Sequence, residues 1–137
     1  MPRSLRRVVY RSDSHIPHDD KVALQAIFKT SLRNNRRDAI TGALALPDGK
    51  FVQVIEGRGR AVDDLMDRLS KDDRHSSMQI LGDWPIVGRL FDGWAMAHPD
   101  TTPLDQQSFR IITQVGSGAQ VAGLLMNLVR DRDAPMF

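Results

Sequence analysis

Tyr10, the Asn34–Asn35 pair and Gln53 are the side chains of this 137-residue chain whose types and settings point toward chemistry. Gln53 lies within GKFVQVIEG, a run of β-formers bounded by Gly49 and Gly57. Alternation along a strand puts Phe51, Gln53 and Ile55 on one face and Val52 and Val54 on the other. Both faces are apolar, so the strand is expected to be covered on both sides. An amide buried there without partners costs about 1–3 kcal/mol, so Gln53 needs a hydrogen-bond partner. Tyr10, the only tyrosine, ends a first strand on the same face as Val8. A phenol in that place ordinarily belongs to the core, its hydroxyl reaching a carbonyl. Asn34 and Asn35 close a helix, where asparagine caps or turns the chain. Pattern alone leaves a joint site and three separate structural roles both open.

Other candidates carry less. His15 and His18 in HIPHDD stand near two aspartates, but Pro17 separates them and no further ligand clusters there, so a solvated loop is the better reading. His75 and His98 are isolated. No GxSxG, GxGxxG or P-loop pattern occurs. GRGR (57–60) reads as a turn before a helix rather than an anion cradle. Asp63, Asp64 and Asp67 suit the start of the second helix, where acids favour the dipole. Asp72 and Asp73 lie near its end, where that explanation fails, which leaves Arg74 or a ligand as a partner for one of them.

The elements that must position these residues follow from periodicity. Leu5–Tyr10 reads as a strand, and SDSHIPHDD as a loop with a helix start at Asp19 or Asp20. Leu24, Ile27, Phe28 and Ser31 recur at helical spacing up to the asparagine pair. Ala39–Leu46 and the Gln53 strand form a hairpin around Pro47-Asp48-Gly49. Val62, Leu65, Met66 and Leu69 mark a second helix. Met78–Leu81 and Phe91–Ala97 read as two more strands, joined by a loop holding Pro85 and Gly88. The order β-α-β-β-α-β-β is an α+β, ferredoxin-like sheet with two helices on one face. Leu104, Ile111, Ile112 and Val115, then Val121, Leu124, Leu125, Leu128 and Val129, make two amphipathic helices broken at Gly116-Ser117-Gly118. They are expected to cover the sheet's other face or to meet another subunit.

Composition narrows the class. One compact domain of this length buries a core without disulfides, and with no cysteine there is neither a disulfide nor a thiolate chemistry. No apolar run approaches the roughly 20 residues of a membrane span, and no signal peptide is visible, so a cytoplasmic protein is expected. The net charge is only +2. Arg3, Arg6, Arg7 and Arg11, with Lys29, Arg33, Arg36 and Arg37, read best as solvated faces; attraction to the phosphates of a nucleic acid or nucleotide cofactor is the sharper alternative. Aromatics at 6% argue against an RNA-stacking sheet.

VVYRS (8–12), SLRNNRRDAITGAL (31–44), GKFVQVIEG (49–57), KDDRHSSMQIL (71–81) and RLFDGWAM (89–96) together resemble the BLUF domain, a blue-light sensor using FAD. The resemblance covers about residues 5–97, in order, so residues 1–98 would be the photosensor and 99–137 a C-terminal helical extension acting as cap or output. It implies roles residue by residue. Tyr10 matches the photoactive tyrosine, and Gln53 the glutamine between it and the flavin. Asn35 matches the asparagine on the polar edge of the ring, with Asn34 assisting. Arg68 and Asp72, on the second helix, match flavin-contacting positions, and Ile27 and Leu69 match apolar walls. Trp94 and Met96 match the pair of which either approaches the glutamine.

It also implies a mechanism: light drives electron and proton transfer from Tyr10 to flavin, leaving Gln53 with rearranged hydrogen bonds that signal through the last strand to the C-terminal helices. The cofactor implied is FAD, with FMN or riboflavin tolerated. A short, stand-alone, non-enzymatic member is expected, acting through an unknown protein partner or as a homo-oligomer, with no membrane or nucleic acid. The alternative is a flavin-free ferredoxin-like module or an acylphosphatase-like hydrolase.

Overall fold

The structure is a computed structural model and describes residues 4–17, 19–99 and 101–131. The chain runs β1 (Leu5–Ser14), α1 (Lys21–Asp38), β2 (Thr41–Ala45), β3 (Lys50–Arg58), α2 (Gly59–Ser70), β4 (His75–Ile86), α3 (Pro103–Val115) and α4 (Gly118–Asp131). The strands form one antiparallel sheet in the order β2-β3-β1-β4. This is the expected α+β, ferredoxin-like arrangement.

The alternation along β3 is realised as two apolar layers. Val52 and Val54, with Val9, Ala43 and Ala45, pack against Phe109 of α3 and Val121, Leu125 and Val129 of α4. On the opposite face Ile55, Val8 and Tyr10 meet Val62, Leu65 and Leu69 of α2. Leu44 and Phe51 meet Phe28 and Leu32 of α1. The C-terminal helices thus cover the face that α1 and α2 leave bare.

Local chemistry sets the element ends. Asp20 caps α1 by accepting from the Ala23 amide at 3.1 Å. At α3, Thr102 and Asp105 form a capping box ahead of Pro103. Between β2 and β3, Asp48 and Gly49 both take positive φ (51° and 72°), the conformation a tight hairpin turn requires.

Three expectations are corrected. The asparagine pair does not end α1: the helix runs on to Asp38 and closes on Ala39, in the left-handed region (φ 54°, ψ 41°), whose amide returns to the Asn35 carbonyl. β4 is longer than Met78–Leu81 and includes Pro85, which is tolerated because β4 is an edge strand and no ladder bond is lost on its open side. Phe91–Ala97 is not a regular strand. It follows the free edge of β2 through one parallel bridge, Ala43 to Ala97, and three backbone bonds: Gly42 N–H to Trp94 O (3.0 Å), Ala97 N–H to Gly42 O (3.0 Å) and Leu44 N–H to Ala97 O (2.8 Å). Gly93 at φ 91° turns the chain inside this run, which prevents a continuous ladder. No helix among the described residues is long and apolar enough to cross a membrane.

Candidate functional site

A cavity of about 190 Å³ opens between α1 and α2 above the sheet. Ile27, Asn34 and Asn35 of α1 line it, with Leu65, Arg68 and Leu69 of α2, Asp72 beyond that helix, His75 of β4, and Tyr10 and Gln53 on the sheet. Tyr10 and Gln53 are direct partners in the β1–β3 register. The buried Tyr10 hydroxyl donates to Gln53 Oε1, which answers what satisfies the amide oxygen. Burial pushes the Tyr10 phenol well above its ordinary value, and the charge of Asp72 adds to the shift. Tyr10 is therefore a neutral donor at any physiological pH. At the other end of the amide, Gln53 Nε2 meets, among the described residues, only the Met96 thioether, at 3.5 Å, a weak acceptor. The amide thus has donor capacity to spare.

Asn35 is buried, and its Nδ2 donates to the Ala95 carbonyl at 2.8 Å. Its Oδ1 accepts no hydrogen bond from the described residues. Asn34, one position along, lines the cleft and makes no side-chain hydrogen bond among the described residues. Asp72 lies two residues past the end of α2, not on it, and is held by the Arg74 amide at 3.0 Å and guanidinium Nε at 2.9 Å. That side-chain bond keeps the Asp72 carboxyl below the usual carboxylate range. Arg74 is thus the partner, its guanidinium reaching both carboxylate oxygens. Arg68 is exposed at the rim, 3.4 Å from Asp38.

Trp94 and Met96 part company. Met96 is fully buried against Leu44, Phe51 and Gln53, on the cleft side. Trp94 packs into the cluster of the C-terminal helices on the opposite side. His15 bonds Ser76 Oγ at 2.7 Å, His18 lies outside the described residues, and no group of three metal-ligating side chains occurs among the described residues.

His75 is the lining residue that sequence reasoning passed over. Its Nε2 is 2.6 Å from the Leu69 carbonyl and its Nδ1 is 2.6 Å from Ser12 Oγ. A carbonyl only accepts, so Nε2 carries a hydrogen. The ring stands 6.2 Å from Tyr10 and edge-on to Phe51 at 5.9 Å. It ties the end of α2 to the sheet beside the tyrosine. The only signal in the chain is the histidine itself; its partners arrive through the β1–β4 pairing.

Comparison with known proteins places this geometry. The family model described as "Sensors of blue-light using FAD" (BLUF) matches residues 5–97. The chain belongs to the BLUF family. The chain is 30% identical over 115 residues to the photoactivated adenylate cyclase subunit beta of Euglena gracilis, covering 82% of this chain but only 13% of that protein's length. Among solved structures, the dark state of the BLUF protein BlrB superposes with a TM-score of 0.77 at 26% identity, covering 96% of this chain and 98% of that one. A bacterial light-regulated adenylyl cyclase superposes with a TM-score of 0.72 at 30% identity, over 90% of this chain and 40% of that one. The chain spans less than half the length of the cyclases it matches.

The cleft fits a flavin. Two amides with unused bonding capacity, Gln53 and Asn35, face a space walled by Ile27, Leu65 and Leu69. A flat heteroaromatic ring with an apolar body and a polar edge needs that combination.

Proposed function

We propose that this chain is a blue-light photoreceptor that holds FAD non-covalently between α1 and α2, with Tyr10 and Gln53 as its photoactive pair. The observation that carries the reading is the buried Tyr10–Gln53 hydrogen bond on the cleft floor, with the far end of the amide held only by a thioether. Asn35 and Asn34 serve the ring's polar edge, Ile27 and Leu69 its faces, and Arg68 and Asp72 the rim. Recognition through the ring alone lets FMN or riboflavin serve as well.

Flavin, when bound, supplies blue-light absorption and the capacity to take up an electron and a proton. Tyr10 is the residue placed to yield both. Its hydroxyl donates to Gln53 Oε1, which supports a proton path through the amide. Gln53 then rearranges by rotation or tautomerisation, because an amide both donates and accepts and its two ends exchange roles. Such a change is worth only about 1 kcal/mol, so the lit state relaxes in the dark. The signal leaves through the run that touches the site twice, at Met96 through Gln53 and at Ala95 through Asn35. Trp94, on the same run, packs against the cluster that includes Phe109, Val121 and Leu125 of the C-terminal helices. Residues 99–137 are then the output element, acting on a separate cytoplasmic partner or on a homo-oligomer. Leu104, Ile111 and Val115, exposed on α3, offer an apolar surface for either.

The test is an absorption spectrum of the purified protein before and after blue light. A flavin spectrum that shifts slightly red and recovers in the dark supports the reading. A colourless protein that takes up no added flavin returns it to a flavin-free module.

A further inference from the structure

Glu56 is the largest unexplained polar feature outside the cleft. Its side chain is fully buried, on the C-terminal-helix face of β3. Oε2 accepts from Arg7 Nε at 2.9 Å and from the Leu90 amide at 2.8 Å, and Oε1 accepts from the Phe91 amide at 2.8 Å and Thr41 Oγ1 at 3.2 Å. Arg89 closes the set, donating to Thr41 Oγ1 at 2.9 Å and to the Glu56 carbonyl at 3.1 Å. Trp84, Arg7, Glu56 and Thr41 are successive register partners, one on each strand. They form a rung across the whole sheet, with the Arg7 guanidinium 5.5 Å from the Trp84 ring.

A buried carboxylate is costly unless fully bonded, and hydrophobic residues would stabilise the same space as well or better. What this one does that they would not is fix two backbone amides at the root of the run that carries Trp94 and Met96. Beyond Phe91 the attachments change character. Gly93 turns at φ 91°, and the run is then held by two backbone bonds to Gly42, one to Leu44 and the Asn35 side chain on Ala95.

We propose that Glu56 is a positioning residue for light signalling: it pins Leu90 and Phe91, so that residues 92–97 respond to Gln53 as an arm pivoting about a fixed root. The inference rests on the photoreceptor reading above. The root lies on the helix-covered face and the trigger on the cleft face, so a small displacement at Met96 moves Trp94 against α3 and α4 instead of sliding the whole connection.

The experiment is residue-resolved amide exchange by NMR on the FAD-loaded protein, in the dark and under continuous blue light, with the absorption spectrum recorded on the same sample. Leu90 and Phe91 amides are expected to keep their dark protection, while Gly42 and Ala97 amides exchange about tenfold faster in the light. In Glu56→Gln, which puts a donor where two donors converge, the red shift is expected to remain while the light–dark contrast at Gly42 and Ala97 is lost. A purely structural role would lower protection equally in both states and keep the contrast. Acceleration of Leu90 and Phe91 together with Ala97, or no light effect at Gly42 and Ala97 in a sample whose spectrum shifts, overturns the pivot alone. A sample whose spectrum does not shift, with identical exchange in both states, overturns the photoreceptor reading and the pivot with it. The wild-type measurement decides even if Glu56→Gln fails to fold.

Discussion

Tyr10 and Gln53 stand directly opposite each other on β1 and β3, the two central strands, with the phenol hydroxyl bonded to the amide oxygen. Cross-strand partners have Cβ atoms only about 5 Å apart, and central strands are the least mobile part of a sheet. The pair is thereby pre-positioned by backbone hydrogen bonds, and only the far end of the amide is left to respond to what occupies the cleft.

Tyr10→Phe should leave flavin bound and abolish the light-induced red shift, since Gln53 loses its proton donor. It also leaves a buried amide oxygen without a partner, a loss of about 1–3 kcal/mol in stability. Gln53→Leu should abolish the shift in the same way. Light-minus-dark spectra and urea denaturation measure the two effects, and a shift surviving in either variant would remove the pair from the mechanism.

The phenol predicts an alkaline limit. Its folded pKa is raised above the unfolded value near 10. The unfolded chain therefore ionises first, and stability that is complete below about pH 10 falls as pH rises from there toward the folded pKa. Tyr10 is the only tyrosine, so phenolate absorbance, taken as the difference from Tyr10→Phe, reports this one group. It should appear together with unfolding. Phenolate appearing near pH 10 in a still-folded protein would contradict the burial.

Met96 and Trp94 should separate experimentally. Met96→Ala empties a fully buried site, costs about 2–5 kcal/mol, and should change the dark-recovery rate because Gln53 Nε2 loses its contact. Trp94→Ala should leave spectrum and recovery nearly unchanged and diminish the light-induced change in α3 and α4, read by amide exchange. If both variants keep that change, the run between them does not carry the signal.

Gly42 should tolerate no side chain. A Cβ there would stand 1.9 Å from the Val54 carbonyl oxygen, and backbone cannot yield as a side chain does. Gly42→Ala is expected to cost about 3 kcal/mol or more, in thermal or denaturant unfolding, by prising β2 and its attached run from β3. Gly88→Ala, with open space around its Cβ, is the control and should stay within about 0.5 kcal/mol of the parent.

Much of this was written in local pattern. Alternation along residues 51–55 required two covered faces, the stripe Val62–Leu69 made α2, and the spacing of Leu104–Val129 made the helices that cover the second face, because each signal depends only on neighbours within a turn or a pleat. Gln53 could be singled out as a polar residue in apolar surroundings, and Tyr10 as the only tyrosine. Other outcomes depended on partners far along the chain. Residues two apart on a regular strand share a face, yet Trp94 and Met96 pack into different clusters, because the run is not a regular strand and its docking on β2 brings Met96 to Gln53. That run looked like a strand by composition, yet Gly93 and the Glu56 carboxylate gave its amides other geometry and other partners. α1 passed its asparagines because Ala39 could close it in the left-handed region and bury Ile40 behind it. His75 reached Ser12 through a β1–β4 pairing that shifts register twice, between Val9 and Tyr10 and between Arg11 and Asp13. Local periodicity cannot encode such a register, because it is chosen by the packing of both strands at once.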